Sequence, residues 1–166
     1  MQNLMIIMGV SGCGKSTISQ AFGTQTGWPV LEGDAYHPQS NVEKMAGGAP
    51  LTDQDRAAWL DALNQAISTL PQNAPVILAC SALTPYVRDR LQSGTERTCH
   101  WIWLDAPQNL IQTRIDARKD HFMPPALLQS QFNALTAPAD ALRIDAAQSP
   151  QAIITDLLSA FSEHIS

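Results

Sequence analysis

Short apolar runs alternate along the chain with longer segments in which apolar residues recur at helical spacing. The apolar runs predict five strands, at Leu4–Met8, Val30–Glu32, Val76–Cys80, His100–Leu104 and Leu142–Asp145. The segments between and after them predict helices at Ser16–Phe22, Asp53–Leu70, Pro85–Leu91, Pro107–Arg118, Pro124–Leu135 and Pro150–Phe161. Asp53 is the predicted N-cap of the longest helix. Strands that alternate with helices indicate an α/β protein, in which helices cover both faces of a parallel sheet.

Length and composition fit one ordinary globular domain over residues 1–166. Apolar residues make up 45% of the chain and charged residues 15%. The formal net charge of -5 disfavours nucleic acid as the main partner, because phosphate backbones bind basic surfaces. No signal peptide is visible and no apolar stretch approaches the ~18 residues of a membrane span, so we predict no membrane association.

Three cysteines, Cys13, Cys80 and Cys99, bear on the cellular compartment. Their odd number and the absence of a CxxC pattern suggest neither a disulfide framework nor a zinc site. The pattern favours a reducing compartment, and we expect a cytoplasmic protein. Cys80 and Cys99 are expected to be buried, whereas Cys13 is expected to be partly exposed because it lies in a glycine-rich stretch.

That glycine-rich stretch, GVSGCGKS, fits the phosphate-binding pattern G-x-x-x-x-G-K-[ST] between a predicted strand and a predicted helix. Its glycines allow backbone N–H groups to converge on an anion, and the helix adds its positive N-terminal end. Lys15 can reach the β- and γ-phosphates, and the Ser16 hydroxyl can ligate Mg²⁺. We therefore predict binding of a nucleoside triphosphate with magnesium. The predicted contacts are Gly9, Val10, Ser11, Gly12, Cys13, Gly14, Lys15, Ser16 and Thr17.

Other features separate kinases from the remaining proteins that use such a loop. The guanine-reading sequence NKxD is absent, which argues against a GTPase. Motor ATPases usually carry an acid at the end of the third strand, whereas this strand ends in VILACSAL, with Cys80 and Ser81. The sequence thus favours a small kinase that phosphorylates a small molecule or a nucleotide, with Ser81 as a candidate acceptor contact.

Polar residues that follow the second predicted strand, in EGDAYHPQSNVEKM, are candidates for binding the acceptor. Asp34 lies just past the strand end, where ligands bind in parallel sheets. Its carboxylate can orient or deprotonate an acceptor hydroxyl, or hold a water on Mg²⁺. His37 can hydrogen-bond a polyol. Alternatively, Asp34 caps the following helix and His37 is structural. Glu32, at the strand terminus, is less informative.

Four arginines complete the candidate site in this acidic chain. Arg56 and Arg88 predict an anionic acceptor, because a guanidinium binds a carboxylate through two parallel hydrogen bonds; either can instead form a surface ion pair. Arg114 and Arg118 lie one helical turn apart and are expected to stack on adenine and neutralise the transferred phosphoryl group, unless they form a solvated helix face. The polar segment 119–139 is a predicted lid that excludes water.

Four motifs, in order, cover the chain from Met8 to Leu135. They are MGVSGCGKS, the pattern GDxxHPxxNxxKMxxGxPLxDxDRxxWL over residues 33–60, CSAL followed by RD within residues 80–89, and RxxxRxxHFMPxxLLxSQFxxL over residues 114–135. In these motifs the chain closely resembles the gluconate kinase (gluconokinase) family. The resemblance implies a three-layer P-loop kinase fold, with a five-stranded parallel sheet in the order 2-3-1-4-5 and a helical lid, and commonly a homodimer.

The resemblance also implies an activity, the transfer of the ATP γ-phosphoryl group to the 6-hydroxyl of D-gluconate. The expected catalytic residues are Lys15, which holds the β- and γ-phosphates, Asp34, which orients the hydroxyl, and Arg118, which stabilises transition-state charge. Arg114 and Arg118 are also expected to contact ATP, and Ser16 to bind Mg²⁺. The expected acceptor contacts are Asp34, His37, Arg56, Ser81, Arg88 and His121.

The chain departs from the family pattern at several positions. Thr84, Pro85 and Val87 replace a lysine, a basic residue and a tyrosine, and Ala58 stands where proline is common. The tail LTAPADAL carries fewer acids than the usual LExPxxDE. These departures leave two alternatives open, a kinase for another sugar acid or small acceptor and a degenerate paralogue that binds ATP without turnover.

Overall fold

A five-stranded parallel sheet forms the centre of the protein. The computed structural model describes residues 2–119 and 123–165. The strands pair in parallel in the order β2-β3-β1-β4-β5, which confirms the predicted fold. Their bounds are β1 (Asn3–Met8), β2 (Val30–Glu32), β3 (Val76–Ala79), β4 (Thr98–Asp105) and β5 (Leu142–Asp145).

Helices connect the strands and cover the sheet. They are α1 (Lys15–Thr26), α2 (Gln39–Ala46), α3 (Asp53–Thr69), α4 (Pro85–Ser93), α5 (Gln108–Asp116), α6 (Pro125–Ala134) and α7 (Pro150–Ala160), with 3-10 turns at Gly33–Tyr36 and Ser162–His164. The sequence did not predict α2, because the helix is only eight residues long and only Val42, Met45 and Ala46 of these are apolar. Helix α1 continues past its predicted end at Phe22 and stops where Gly27 adopts a left-handed conformation.

Alternate residues of β1 contribute to two hydrophobic cores, one on each face of the sheet. Met5 and Ile7 belong to the core that includes residues of α1, α5, α6 and α7. Leu4, Ile6 and Met8 belong to the core shared with α3 and α4. All five side chains are fully buried, as expected for the central strand of a parallel sheet. None of the helices in the described part of the chain is both long and apolar enough to cross a bilayer.

A capping box starts α3 and joins it to α2. Thr52, and not the predicted Asp53, is the N-cap: its hydroxyl accepts a hydrogen bond from Asp55 N at 3.2 Å, while Asp55 Oδ2 accepts from Thr52 N at 2.8 Å. The reciprocal pair satisfies two N–H groups, which a cap at Asp53 would not achieve. Lys44 Nζ also donates to Asp55 Oδ2, at 2.6 Å, and this bond is the main cause that lowers the pKa of Asp55 to about 2.

A buried arginine, Arg97, joins the connection between α3 and β3 to the start of β4. The Arg97 guanidinium, just before β4, donates to Ala74 O at 2.9 Å, to Pro71 O at 2.6 Å and to Leu70 O at 3.3 Å. These carbonyls follow α3 and precede β3. Arg97 thus fixes the connection between α3 and β3 against the start of β4.

Replacing Arg97 by alanine is expected to lower the free energy of unfolding by about 3 kcal/mol, because several carbonyls lose a charged donor. Arg97→Lys keeps the charge without the planar fork and should give a smaller loss. Urea unfolding followed by tryptophan fluorescence measures both. The control is Arg90→Ala, which removes an exposed partner of Asp61 and should cost at most about 1 kcal/mol. An Arg97→Ala midpoint equal to that of wild type would contradict this role.

Candidate active site

The glycine-rich loop follows β1 at the carboxyl edge of the sheet. Gly12 has φ +82°, and a Cβ there would lie 2.8 Å from Ile115 Cγ1, so both conformation and space require glycine. Gly9 N donates to Ser81 O at 3.2 Å, which ties the loop to the segment after β3. Gly14 is the N-cap of α1 and has no side chain to pair with the first helical N–H groups. These groups remain available to an anion.

Lys15 and Cys13 complete the loop in different ways. Lys15 Nζ donates to Gly9 O and Val10 O, each at 3.0 Å, so the ammonium is held against the loop backbone. Its charge adds to the positive end of α1. The Cys13 side chain is only 2% exposed and belongs to the hydrophobic core, so the expectation of partial exposure was wrong. The loop turns this side chain inward, beneath Gly9.

An acid that the sequence did not single out lies beside the start of α1. Ser16 Oγ donates to Glu32 Oε2 at 2.9 Å, and Glu32 is the last residue of β2. A hydroxyl and a carboxylate oxygen at this distance are suitable ligands for Mg²⁺. No cluster of three or more His, Cys, Asp or Glu able to hold a metal occurs among residues 2–119 and 123–165. A magnesium ion here would therefore share its remaining ligands with phosphate oxygens and water.

Asp34 and His37 lie next to each other after β2. The Asp34 side chain is 82% exposed, and its Oδ1 is 3.9 Å from His37 Nε2. The N-cap of α2 is Pro38, so Asp34 does not cap that helix. His37 stacks on Trp59 with ring centroids 4.2 Å apart. Burial, opposed by Asp34 and assisted by Arg56, lowers the pKa of His37 below its ordinary value, which favours the neutral ring.

The turn that carries Asp34 is fixed by a close approach of backbones. A Cβ at Gly33 would lie 2.7 Å from Ala79 O, so only glycine fits between β2 and β3 at this point. Trp59 Nε1 donates to Gly33 O at 2.8 Å from its buried position on α3. Trp59 is thus a core residue that also supports both Gly33 and the His37 ring.

Arg56 and Arg88 differ in their partners. Arg56 Nη1 is 3.3 Å from Asp53 Oδ1. Arg56 therefore forms an ion pair, which was the alternative to its predicted role in binding an anionic acceptor. Arg88 is only 8% exposed and donates to Ala82 O at 2.9 Å and to Thr136 Oγ1 at 3.3 Å. Within the described ranges it forms no salt bridge, so the surface ion-pair alternative does not describe Arg88.

Arg88 keeps its charge under opposing influences. Burial lowers the pKa of Arg88, while the nearby carboxylates of Asp89 and Asp140 raise it. A guanidinium has five N–H donors, of which the neutral oxygens of Ala82 and Thr136 engage only some. The buried cation is therefore suited to bind an anion.

Arg114 and Arg118 both line a pocket on the other side of the loop, together with Gly12, Gly14, Thr17, Ile18, Ala146, Gln148, Pro150 and Ile153. Arg114 is the half-buried one, and its Nη2 donates to Ala146 O at 2.7 Å. The prediction that both arginines lie on one helix was wrong, because α5 ends at Asp116 and Arg118 follows the C-cap Ala117. The pocket adjoins the phosphate-binding loop, as expected for a nucleotide base and ribose.

Comparison with known proteins identifies the family of this arrangement. A family model described as an AAA domain matches residues 4–142. A gluconokinase from Gluconobacter oxydans (strain 621H) is 37% identical over 164 residues, which span 95% of this chain and 90% of the relative. The thermosensitive gluconokinase of Escherichia coli (strain K12) is 41% identical over 145 residues, 84% of this chain and 77% of its own length. The chain belongs to the gluconokinase family.

Solved structures agree with this assignment. A crystal structure of a gluconokinase from Sinorhizobium meliloti 1021 matches with a TM-score of 0.86 at 34% identity, over 99% of this chain and 94% of that one. An unliganded sugar kinase from Janibacter sp. HTCC2649 matches with a TM-score of 0.89 at 36% identity, over 98% and 95% of the two chains. The predicted family is confirmed, and the chain is a kinase.

The departures from the gluconokinase family pattern after β3 have a local structural role. Thr84 is the N-cap of α4, where its side chain accepts from Val87 N, and Pro85 occupies the first turn. Both residues favour the start of a helix. The substitutions therefore keep α4, and with it Arg88, in place.

The described part of the predicted lid is attached to both the core and the loop. Leu127 and Leu128 of α6 are buried in the larger core. Gln131 Oε1 accepts a hydrogen bond from Ser11 N at 2.8 Å, a contact that the sequence did not suggest because 120 residues separate the partners. His121, an expected acceptor contact, lies outside the described residues. Closure of segment 119–139 stays a prediction.

Glu32→Gln tests the carboxylate beside Ser16. An amide is a poorer ligand for Mg²⁺ than a carboxylate. We expect Mg²⁺ to tighten ATP binding to the wild-type protein, and we expect this gain in affinity to be about tenfold smaller in Glu32→Gln. Titration calorimetry of ATP with and without Mg²⁺ measures this independently of turnover. Glu163→Gln, in the C-terminal 3-10 turn, is the matched control and should behave as wild type. An unchanged magnesium effect in Glu32→Gln would exclude Glu32 from the metal site.

Proposed function

We propose that this protein transfers the γ-phosphoryl group of ATP to the 6-hydroxyl of D-gluconate and releases 6-phospho-D-gluconate and ADP. The observation that carries the proposal is the meeting of a phosphate-binding loop and an acceptor cluster at one sheet edge, in a chain of the gluconokinase family. The acceptor cluster consists of Asp34, His37 and the nearby Arg56. We add Arg88 to it, because the helix of Arg88 follows β3, the strand next to β2.

On the nucleotide side, the backbone N–H groups of the loop and Lys15 hold the β- and γ-phosphates. Arg114 and Arg118 border the pocket for adenine and ribose, and Arg118 stabilises charge on the phosphoryl group in transfer. Ser16 and Glu32 would hold Mg²⁺, which neutralises the phosphate oxygens when bound. Support for these roles comes from the positions of the side chains around one loop.

On the acceptor side, Asp34 orients the 6-hydroxyl and accepts its proton. Its exposure and lack of a capping role leave the carboxylate free for this task. His37 lies beside Asp34 as a neutral ring, with its side chain 6% exposed and held between Trp59 and Asn41. Its proposed role is a hydrogen bond to a sugar hydroxyl. Arg56, close enough to affect the pKa of His37, is a second donor for hydroxyl groups.

Arg88 binds the carboxylate of gluconate. It is buried, holds its guanidinium against neutral oxygen atoms, and follows the same strand edge as Ser81. A substrate carboxylate supplies the anion that such a cation needs in a low-dielectric site. Arg56 is less suited to this task because Asp53 already pairs with it.

We further propose that the protein is a cytoplasmic homodimer. The free thiols Cys13, Cys80 and Cys99 are consistent with a reducing compartment. The homodimer follows from the family resemblance alone. Light scattering coupled to size-exclusion chromatography distinguishes a dimer from a monomer of 18.0 kDa.

The first test is ADP release from Mg-ATP with a panel of acceptors and a blank without acceptor. The panel holds D-gluconate, L-idonate, 5-ketogluconate, shikimate, AMP and CMP. We expect strong stimulation by gluconate. If only another member of the panel stimulated ADP release, that compound and not gluconate would be the substrate. Turnover with none, despite ATP binding, would identify a degenerate paralogue.

Two substitutions test the catalytic roles in that assay. Lys15→Ala should abolish phosphoryl transfer, because the phosphates lose their fixed cation. Asp34→Asn should lower kcat by about 10²-fold or more and leave the unfolding midpoint unchanged, because its side chain is exposed. A normal kcat in Asp34→Asn would remove Asp34 from the mechanism.

Arg88→Lys tests carboxylate recognition. The lysine keeps the charge but loses the bidentate fork, so we expect the KM for gluconate to rise about tenfold or more while the KM for ATP stays the same. Arg90→Lys, on the same helix but exposed and paired with Asp61, is the matched control. Should Arg56→Lys raise the gluconate KM and Arg88→Lys not, the carboxylate belongs to Arg56 instead.

A further inference from the structure

A pair of hydrogen bonds joins α6 to the phosphate-binding loop. Besides accepting from Ser11 N at 2.8 Å, the Gln131 side chain donates from Nε2 to Ser11 Oγ at 3.2 Å. One amide thus engages both the backbone and the hydroxyl of a single loop residue. Such a two-point contact fixes the Ser11 rotamer as well as the position of the backbone.

The helix that carries Gln131 is firmly anchored. Leu127 and Leu128, one turn earlier, are 5% and 0% exposed in the core that also holds α1, α5 and α7. After α6, Thr136 N donates to Leu83 O at 3.0 Å, which fixes the chain beyond the helix. Gln131 is therefore presented to the loop by a rigid support and not by a loose end.

The direction of the Ser11 hydroxyl follows from its bonding. A hydroxyl has one donor and two acceptor sites. Because Gln131 Nε2 is a donor, Ser11 Oγ must act as the acceptor in this pair, and its own O–H remains free to donate elsewhere. Ser11 is a half-buried residue of the loop that binds phosphate, so a phosphate oxygen is the acceptor within its reach.

We infer that Gln131 is a positioning residue that directs the Ser11 O–H toward the phosphoryl group in transfer. The inference rests on the proposed function, since it assumes that the loop holds ATP. The bond to Ser11 N keeps the loop backbone still, and the bond to Ser11 Oγ sets the direction of the donor. This role needs no contact between Gln131 and either substrate.

Two variants separate the hydrogen bonds from packing. Gln131→Met keeps the length of the side chain but can neither donate nor accept as an amide does, and we expect kcat to fall about tenfold. Gln131→Glu still accepts from Ser11 N but cannot donate to Oγ, and it draws the Ser11 O–H toward itself. We expect Gln131→Glu to lose at least as much kcat. The Kd for ATP without acceptor, from titration calorimetry, should change less than about twofold in Gln131→Met.

A double-mutant cycle shows whether Gln131 acts through Ser11. Ser11→Ala alone should lower kcat about as much as Gln131→Met. The double variant should lose less than the product of the two single losses, because Ser11→Ala already removes the bond to Oγ and keeps only the bond to the backbone N. Additive losses would overturn the inference, because Gln131 would then act by another route. A wild-type kcat in Gln131→Met, or full activity in Gln131→Glu, would overturn it as well.

The matched control is Gln129→Met, two residues earlier on α6. Gln129 is exposed, and among residues 2–119 and 123–165 its side chain bonds Gln108 and Asn133 on the surface, so its replacement should leave kcat unchanged. If Gln131→Met lowered the thermal midpoint and kcat together and Ser11→Ala left kcat unchanged, the contact would be merely structural. Failure of the proposed function is distinct, since the wild-type protein would then show no gluconate-dependent turnover.

Discussion

The parallel pairing of β1 with β3 on one side and β4 on the other is the constraint on which the site depends. Ile7 pairs with Ala79, and Met8 pairs with Trp103, at the carboxyl end of the strand. Because parallel strands finish at the same edge, the loop after β1 and the segments after β2 and β3 meet there. A slip of one residue would turn the apolar side chains of β1 to the opposite core and displace the loop.

A short stretch of chain at the end of α6 links the nucleotide side of this edge to the acceptor side. Gln131 bonds Ser11 in the phosphate-binding loop, and Thr136 accepts from the Arg88 guanidinium. The two contacts are five residues apart on one anchored segment. One anchored segment therefore contacts both the phosphate-binding loop and the proposed carboxylate-binding arginine.

Local patterns determined how much the sequence predicted. The runs VLE of β2 and LRID of β5 are short and place their apolar residues among contiguous positions, and their predicted limits were confirmed. The phosphate-binding loop was equally predictable from the sequence, because its function depends on contiguous residues. The partners that were missed are distant in the chain: Glu32 meets Ser16 only through the packing of β2 against the sheet, and Gln131 meets Ser11 only through α6.

Errors at single residues have the same origin. Cys13 was expected to be partly exposed from its place in a glycine-rich loop, but the turn of that loop directs the side chain into the core. Arg118 follows the end of α5, which no breaker in the sequence announces. In both cases the backbone path, and not the residue type, decided the outcome.

Selectivity for an anionic acceptor in a protein of net charge -5 follows from where its cations are buried. Asp89 and Asp140 lie close enough to raise the pKa of Arg88, but within the described residues no carboxylate forms a salt bridge with it. The residue is 8% exposed, and its guanidinium donates to the neutral oxygens of Ala82 and Thr136. In the role proposed for Arg88, a sugar acid supplies a directly paired anion, whereas a neutral sugar of the same length does not. Leaving a buried charged group unpaired costs more than about 1–3 kcal/mol, which is enough to separate the two acceptors by one to two orders of magnitude in kcat/KM.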